Sequence, residues 1–224
     1  MSFDLAFHLL NKLEGDIALA LSYQAEDVVV LHLLKERLTR PFEVFTLDTG
    51  RHFKESLDLH RQIETFFNLT IHRYTPDEHE LRSLEADFAD EWAMRASLQN
   101  RKRCCNVRKV RPLARALAGK TAWVTGLRAA QSVTRENIHV VEYDESFQCL
   151  KFNPLAHWSE DAVTDYMNAH SLPNNALYRE GFRSIGCAPC TRAIAANEDI
   201  RAGRWWWENP EHKECGLHTR KSHG

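Results

Sequence analysis

The sequence lacks any long apolar run and any strong net charge. No apolar stretch approaches the ~20 residues that a membrane-spanning helix requires. The first residues, Met1–Leu5, have neither a basic region nor a long apolar region, so no signal peptide is expected. These absences predict a cytoplasmic protein with no membrane partner. In that compartment thiols stay reduced, and paired cysteines serve as metal ligands or catalysts rather than as disulfides.

The formal net charge of −2 gives no overall basic field for nucleic acid, and none is expected as a partner. The sequence shows no internal repeat or low-complexity stretch. Local charge is uneven, since residues 101–115 hold seven Arg and Lys and no acid. Such clusters are usually solvated surfaces. This one lies beside a pair of cysteines, which favours an anionic ligand.

Alternation of strand and helix patterns predicts an α/β fold, a parallel sheet with helices on both faces. Apolar runs predict strands at residues 17–21, 42–47, 69–74 and 123–127, and helical spacing predicts helices at 3–13, 28–38, 53–67 and 159–170. Residues 1–181 are predicted to form this nucleotide-binding domain. Residues 182–224 are predicted to be an irregular, cysteine-bearing catalytic tail that moves.

Ligands of parallel sheets bind at the carboxyl ends of the strands, where Ser22, Asp48 and Gly126 fall. The turn at Ser22–Asp27 precedes a helix, which suits a phosphate, but it contains no glycine and an ordinary helix cap is an equal alternative. After the next strand, Asp48 could bind a ribose or adenine edge and Arg51 an anion. A simple strand-to-helix turn is the alternative there.

Two further arginines follow the fourth predicted strand. Arg128 and Arg135 come after the turn at Gly126 and could hold sulfate or phosphate oxygens in a bidentate manner. Surface arginines are common, so this pattern is only supporting evidence.

Four of the six cysteines form two tight pairs. Cys104 and Cys105 are adjacent, and Cys187 and Cys190 form Cys-x-x-Cys. Zinc is the default for four cysteines, but zinc ribbons use two Cys-x-x-Cys pairs. Adjacent thiolates could reach one zinc only with local backbone strain, whereas an iron–sulfur cluster accommodates neighbouring ligands more readily.

The two remaining cysteines differ in their surroundings. Cys149 lies in a strand-like segment and is predicted to be a small buried residue. Cys215 lies in a polar tail beside glycine and is predicted to be a nucleophile with a lowered pKa. Just upstream, Trp205–Trp207 form either a docking surface or a lid, or pack in the core.

Four motifs together resemble the assimilatory adenylyl-sulfate reductases, the iron–sulfur branch of the sulfonucleotide reductases. They are Cys-Cys-x-x-Arg-Lys at 104–109, Gly-Cys-x-Pro-Cys-Thr-Arg at 186–192, Arg-x-Gly-Arg-Trp-Trp-Trp-Glu at 201–208 and Glu-Cys-Gly-Leu-His at 214–218. The resemblance spans most of the chain, from residue 22 to residue 218. The early Leu-Asp-Thr-Gly-Arg turn agrees with it.

This resemblance implies a fold like that of the adenine-nucleotide α-hydrolases, which is Rossmann-like. It implies a 4Fe–4S cluster on Cys104, Cys105, Cys187 and Cys190. It also implies that Cys215 attacks the sulfur of adenosine 5′-phosphosulfate, releasing AMP and forming a thiosulfonate. Thioredoxin or glutaredoxin then releases sulfite, as part of sulfate assimilation and cysteine biosynthesis.

The same resemblance implies which residues hold the substrate, and it implies assembly as a homo-oligomer. Lys109 links the cluster to the sulfate of the substrate. The pocket residues that match the family are Arg128, Arg135, Arg201, Arg204 and His218. Gln24 departs from the family, because many relatives have a small or glycine-containing stretch there.

Three alternatives stay open. The enzyme could use the 3′-phosphorylated substrate or accept both substrates. It could be a thiolation or ATP-pyrophosphatase enzyme of the same fold, which would usually show the Ser-Gly-Gly-x-Asp-Ser that this chain lacks. It could be a non-enzymatic metal-binding module, which would need neither Cys215 nor the pocket arginines.

Overall fold

A six-stranded sheet forms the centre of the protein. The computed structural model describes residues 3–88, 90, 92–131, 135 and 137–217. The strands are β1 (Ile17–Ala20), β2 (Glu43–Leu47), β3 (His72–Tyr74), β4 (Ala122–Val124), β5 (Val141–Asp144) and β6 (Cys149–Phe152). Their order is β3-β2-β1-β4-β6-β5, and every neighbouring pair is parallel except β5 with β6. The predicted parallel sheet is confirmed, with an antiparallel edge strand that the sequence did not reveal.

Seven α-helices are found in the described part of the chain. They are α1 (Phe3–Lys12), α2 (Ala25–Arg37), α3 (Lys54–Phe67), α4 (Glu78–Asp87), α5 (Leu98–Cys105), α6 (Arg111–Leu117) and α7 (Glu160–Ala169). Within the same residues, no helix is both long enough and apolar enough to cross a membrane.

Helices cover both faces of the sheet, as predicted. On one face α1, α2, α3 and α7 contribute to the main apolar core, which includes Leu10, Leu31, Ile63 and Met167. On the other face α6 packs Leu113 against Trp123 of β4 and its neighbours. The α2 helix buries eight of its thirteen residues, because it lies between the sheet and α7.

The start of α7 agrees with the sequence in its details. Ser159 is the N-cap, and its side chain accepts a hydrogen bond of 3.0 Å from the backbone N–H of Ala162. Glu160 and Asp161 lie in the first turn, where the positive end of the helix dipole stabilises their carboxylates. This local signal was sufficient to predict where the helix begins.

Helices α5 and α6 are joined without a loop. The segment between them, Asn106–Val110, forms a π-helical turn, so residues 98–117 make one continuous helical rod. Cys104 and Cys105 lie in the last turn of α5, and neither has a positive φ. Both cysteines line the same cavity, described below, and Cys105 does so from a right-handed helical backbone.

The segment 182–217 contains little regular structure. It has two short 3₁₀ turns, Ala188–Cys190 and Pro210–His212, and one β-bridge between Thr191 and Arg204. The segment joins the body through a second apolar cluster, in which Cys187, Cys190 and Trp205 pack against residues of α4 and α5.

Candidate active site

A pocket lies at the carboxyl ends of β1, β2 and β4. Its empty volume is about 1060 Å³, including the open solvent at its mouth. One part is lined by Phe45, Leu47, Leu113, Leu127 and Trp123, which is mostly apolar. The pocket therefore offers an apolar wall of the kind on which a base can stack.

The opposite part of the pocket is cationic and contains a thiol. Predicted site residues that line the pocket are Ser22, Lys109, Gly126, Arg135, Arg201, Arg204, Cys187 and Cys215. Most of these come from three separate stretches, namely the strand ends, the α5–α6 rod and the segment 182–217. The structure thus brings together the predicted nucleophile and four of the predicted cations.

Other predicted residues do not line this pocket. Arg128 is 1% exposed and donates through Nε and one terminal nitrogen to Oε1 of Glu26, at 3.0 and 2.8 Å. Asp48 accepts a hydrogen bond from the N–H of Gly50 and pairs with Arg73. Arg51 lines a neighbouring cavity instead. His218 lies outside the described residues.

The turn at Ser22–Asp27 is closed by its own carboxylate. Oδ2 of Asp27 accepts hydrogen bonds from the N–H and the hydroxyl of Ser22, at 2.7 and 2.5 Å, and Oδ1 accepts from the N–H of Gly126 at 2.9 Å. Burial raises the pKa of Asp27 to about 6, against the lowering effect of these hydrogen bonds. An internal carboxylate thus takes the donors that were expected to bind phosphate.

Gly126 is required at its position because the turns approach so closely. A Cβ added there would lie 2.5 Å from Oδ1 of Asp27 and 2.8 Å from its backbone nitrogen. The sequence singled out Gly126 as the end of a strand. Its function in the structure is to let the β4 turn contact the start of α2.

Gln24, the residue that departs from the family pattern, bridges the two parts of the chain. Its Oε1 accepts a hydrogen bond of 3.1 Å from the N–H of Ile185. Nearby, the hydroxyl of Tyr178 accepts from the N–H of Ala25 at 3.1 Å. The first helix turn after β1 is therefore held by protein atoms from residues 178–185.

A second cavity, with an empty volume of about 360 Å³, lies beside the pocket. All four paired cysteines, Cys104, Cys105, Cys187 and Cys190, line it. Its other lining residues are Arg51, Met94, Arg101, Arg108, Lys109 and Trp205. Lys109, Cys187 and Trp205 line both cavities, so they form the wall between them.

The electrostatics of this cavity are set by burial and by cations. Burial raises the pKa of Cys104, and that of Cys190 to about 11. Burial also opposes ionisation of Cys187, but Lys109, a hydrogen bond that the Thr49 hydroxyl can donate to the thiolate and two arginines hold its pKa below the usual value. Burial acts to lower the pKa of Lys109, yet Cys187, Cys215 and Cys105 raise it. Lys109 thus remains a cation between the thiols.

The cavity does not have the geometry of a single-ion site. Among the described residues, no three His, Cys, Asp or Glu side chains approach closely enough to share one metal ion. The four thiols nonetheless surround one enclosed space lined by cations. This donor set fits a larger, thiolate-ligated group better than it fits zinc.

Arg101 fixes the last described part of the chain, which sequence reasoning missed. It is fully buried and forms a bidentate pair with Glu208, at 2.9 and 2.7 Å. It also donates to the backbone carbonyls of His212 and Glu214, at 2.7 and 2.6 Å, and its guanidinium lies 4.7 Å from the centre of the Trp205 ring. The only sequence signal was its place in the basic run beside Cys104.

The three tryptophans divide between core and surface. Trp205 is 1% exposed and packs with the four cysteines. Trp206 and Trp207 are half-buried, and the guanidinium of Arg95 lies 4.4 and 4.7 Å from their ring centres. Core packing thus accounts for Trp205, as one of the sequence alternatives stated.

Sheet order, strand-end pocket and thiol-lined cavity together define an α/β protein of the adenine-nucleotide-binding type. A solved phosphoadenylyl-sulfate reductase from Candida auris matches with a TM-score of 0.68 at 26% identity, covering 84% of this chain and 89% of that one. Yeast FAD synthetase matches with a TM-score of 0.57 at 14% identity, which shows the fold alone.

Sequence comparison identifies the family. The model for the phosphoadenosine phosphosulfate reductase domain matches residues 16–193, so the chain belongs to that family. An adenosine 5′-phosphosulfate reductase from Allochromatium vinosum is 49% identical over 92% of this chain and 79% of its own length. One from Rhizobium tropici is 44% identical over 78% of this chain and 97% of its own length.

Proposed function

We propose that this chain reduces adenosine 5′-phosphosulfate to sulfite and AMP, as an oxidoreductase of sulfate assimilation. The observation that carries the proposal is that Cys215, Lys109, Arg135, Arg201 and Arg204 line one pocket at the carboxyl end of the sheet. Relatives 49% and 44% identical carry that enzyme's name. The free thiols suit a reducing cytoplasm.

The proposed first step is attack by the Cys215 thiolate on the sulfur of the substrate. The new S–S bond forms as the bond from sulfur to the bridging oxygen breaks, and that electron pair leaves on AMP. Arg201, Arg204 and Lys109 are the cations that would stabilise charge on the sulfate and phosphate oxygens. AMP is a good leaving group, so the chain needs to supply only a thiolate and cations.

The proposed second step uses a dithiol protein, thioredoxin or glutaredoxin, as reductant. One of its thiolates attacks Sγ of Cys215, sulfite leaves, and a mixed disulfide forms. The second thiol of the reductant resolves that disulfide and restores the Cys215 thiolate. The two electrons that reduce the sulfur thus come from the dithiol, which becomes a disulfide.

A 4Fe–4S cluster held by Cys104, Cys105, Cys187 and Cys190 is part of the proposal. Support comes from the four buried thiols around one cavity and from the cations Arg108 and Lys109 beside them. When bound, such a cluster contributes structure and electrostatic potential rather than an electron-transfer step. Lys109 lines both cavities and would then face the cluster on one side and orient the sulfate on the other.

The direct test measures sulfite and AMP from anaerobically purified protein with thioredoxin and substrate. We expect kcat/KM to favour adenosine 5′-phosphosulfate over its 3′-phosphorylated form by at least ~10-fold, equivalent to ~1.4 kcal/mol. Equal or reversed values would support a 3′-phosphate or dual-specificity reductase instead. Absence of sulfite would leave the metal-binding module as the better account.

A further inference from the structure

One carboxylate lies among the arginines of the pocket. Glu214 lines the pocket, and its two oxygens accept from Nε and a terminal nitrogen of Arg135, at 3.0 and 3.2 Å. Its Oε1 lies 3.7 Å from a terminal nitrogen of Arg201. The three side chains are 10%, 8% and 18% exposed for Arg135, Arg201 and Glu214, so this is a largely buried interaction.

This arrangement has the geometry by which a guanidinium binds an oxyanion. Arginine offers paired N–H groups in a fixed plane, which match carboxylate and phosphate oxygens equally well. Sulfate presents the same kind of oxygen. The Glu214 carboxylate therefore occupies the two N–H groups that Arg135 would offer to a sulfate or phosphate group, and it forms a longer ion pair, of 3.7 Å, with Arg201. Substrate oxygens and Glu214 cannot both take those N–H groups.

The backbone around Glu214 is anchored separately from its side chain. Arg101 donates to the carbonyl of Glu214 at 2.6 Å, and Arg201 donates to the carbonyl of Lys213 at 2.7 Å. The carboxylate can therefore leave Arg135 while the chain stays in place. The next residue is Cys215, so release of the Glu214 carboxylate changes the charge beside the proposed nucleophile without moving its backbone.

We propose that Glu214 is a positioning residue whose carboxylate substitutes for a substrate oxyanion until the substrate displaces it. The inference rests on the proposed function in one respect, that the ligand is an anionic nucleotide. Exchange of one anion for another at Arg135, beside Arg201, couples nucleotide binding to the charge around Cys215. It also means that the carboxylate competes with the ligand and weakens its binding.

The test titrates ADP, whose terminal phosphate stands in for the sulfate, into ligand-free wild type and Glu214→Gln, with the affinity measured by calorimetry. Loss of the competing charge should tighten ADP binding about 10-fold, whereas AMP, with one anionic group fewer, should gain less. Glu214→Asp, which keeps the charge on a shorter side chain, should give an intermediate gain. The matched control is Glu211→Gln, an exposed acid three residues earlier, which should change nothing.

The direction of the effect separates this inference from simple structural damage. If Glu214 only stabilises the fold, replacing it should leave the ADP affinity unchanged or reduce it. Either result would overturn the proposal. An equal gain in Glu211→Gln would also overturn it, since the effect would then be general charge. Sulfite release by wild type is measured separately. Failure to release sulfite would contradict the proposed function without affecting the ADP result, and an unchanged ADP affinity would contradict this inference without affecting the proposed function.

Discussion

The sheet body and the segment 182–217 are held in place by different interactions. In the body, strands and helices pack through a continuous apolar core. The segment packs Cys187, Cys190 and Trp205 into a second apolar cluster, but in its last residues backbone carbonyls accept hydrogen bonds from arginines, as His212 does from Arg101 and Lys213 from Arg201. Apolar packing is not directional, whereas each arginine fixes a particular atom.

The two regions contribute different parts of the candidate site. The body supplies an apolar wall and a rigid edge, and its carboxylates are neutralised internally by Arg128 and by backbone N–H groups. The segment supplies Cys215 and two of the four Lys and Arg side chains that line the pocket, Arg201 and Arg204. An ionic attachment can exchange partners with an anionic ligand, which a packed core cannot do.

The largest expected effect is the loss of activity on replacing Cys215, in the segment. Cys149, in the sheet body, is the comparison. We expect Cys215→Ser to lower sulfite formation by at least ~10⁴-fold, because a serine hydroxyl is a far weaker nucleophile at neutral pH. Mass spectrometry of wild type with substrate but no reductant should show one sulfonate on Cys215. Cys149→Ala, in β6, should retain activity. Turnover by the serine variant, or an adduct on another cysteine, would contradict the assignment.

The second prediction concerns Arg101, whose side chain attaches the end of the segment to helix α5. Arg101→Ala leaves the buried Glu208 carboxylate without its partner, a loss that typically costs ~3–5 kcal/mol. We expect trypsin cleavage after Lys213 to increase at least ~100-fold, since cleavage follows the population of the locally open chain.

A matched control uses the same helix. Arg103→Ala removes a half-exposed arginine paired with Asp87, and such a pair contributes little. Its cleavage rate should stay within a factor of about two of wild type. Equal rates in both variants would mean that Arg101 does not hold the segment.

The third prediction concerns the cavity shared by the two regions. We expect anaerobic wild type to contain about four irons and four sulfides per chain. Cys187→Ser should lower the iron content at least several-fold, because one of the four proposed ligands, and one of the two in the segment, is lost. Cys149→Ala should keep its iron. Stoichiometric zinc without iron in wild type would refute the cluster.

The smallest effect belongs to the body and depends on pH. The pKa of Asp27 rises from 3.8 to about 6 on folding, so between these values the folded state binds more protons than the unfolded state. The contribution of Asp27 to stability therefore falls as pH rises from about 4 to about 6, and is constant above that.

Urea unfolding of wild type and Asp27→Asn across this range should detect the change. The difference in unfolding free energy between the two proteins should decrease toward pH 6, by an amount on the order of 1–3 kcal/mol. Asp165→Asn, an exposed acid in α7, should show no such trend relative to wild type. A difference that is flat with pH would mean that Asp27 titrates normally.

Sequence predicted the body well and the segment poorly. Strands β1, β2 and β4 were visible as apolar runs, because burial on both faces requires them to be apolar. Helix α5 was not, since its sequence Leu98–Cys105 is mostly polar and its burial depends on the cavity beside it. Strand β5 was missed and β6 was indicated only by the strand-like segment around Cys149, because Glu142 and Lys151 form an ion pair across the two strands and interrupt their apolar pattern.

The candidate site was likewise only partly predictable from the sequence. Its cysteines could be grouped from their spacing, but the partners of its charges could not be assigned. Arg128 was expected in the pocket, and its actual partner, Glu26, is 102 residues away in the sequence. Glu214 stood beside Cys215 in a recognised motif, yet nothing local indicated that it would face Arg135. Such pairings are decided by the folded chain.

The π-helical turn at Asn106–Val110 determines which side chains of α5 and α6 share a face of the rod. A π turn behaves as one extra residue within an α-helix. Deleting one residue there would restore a regular helix and leave Leu113 and the two cysteines close to their present faces, because the wide turn already absorbs the extra residue. Deleting a residue elsewhere between Cys105 and Leu113 would instead rotate α6 by about 100° and shift it by ~1.5 Å relative to Cys104 and Cys105. The rod therefore tolerates a change of length only at its π turn.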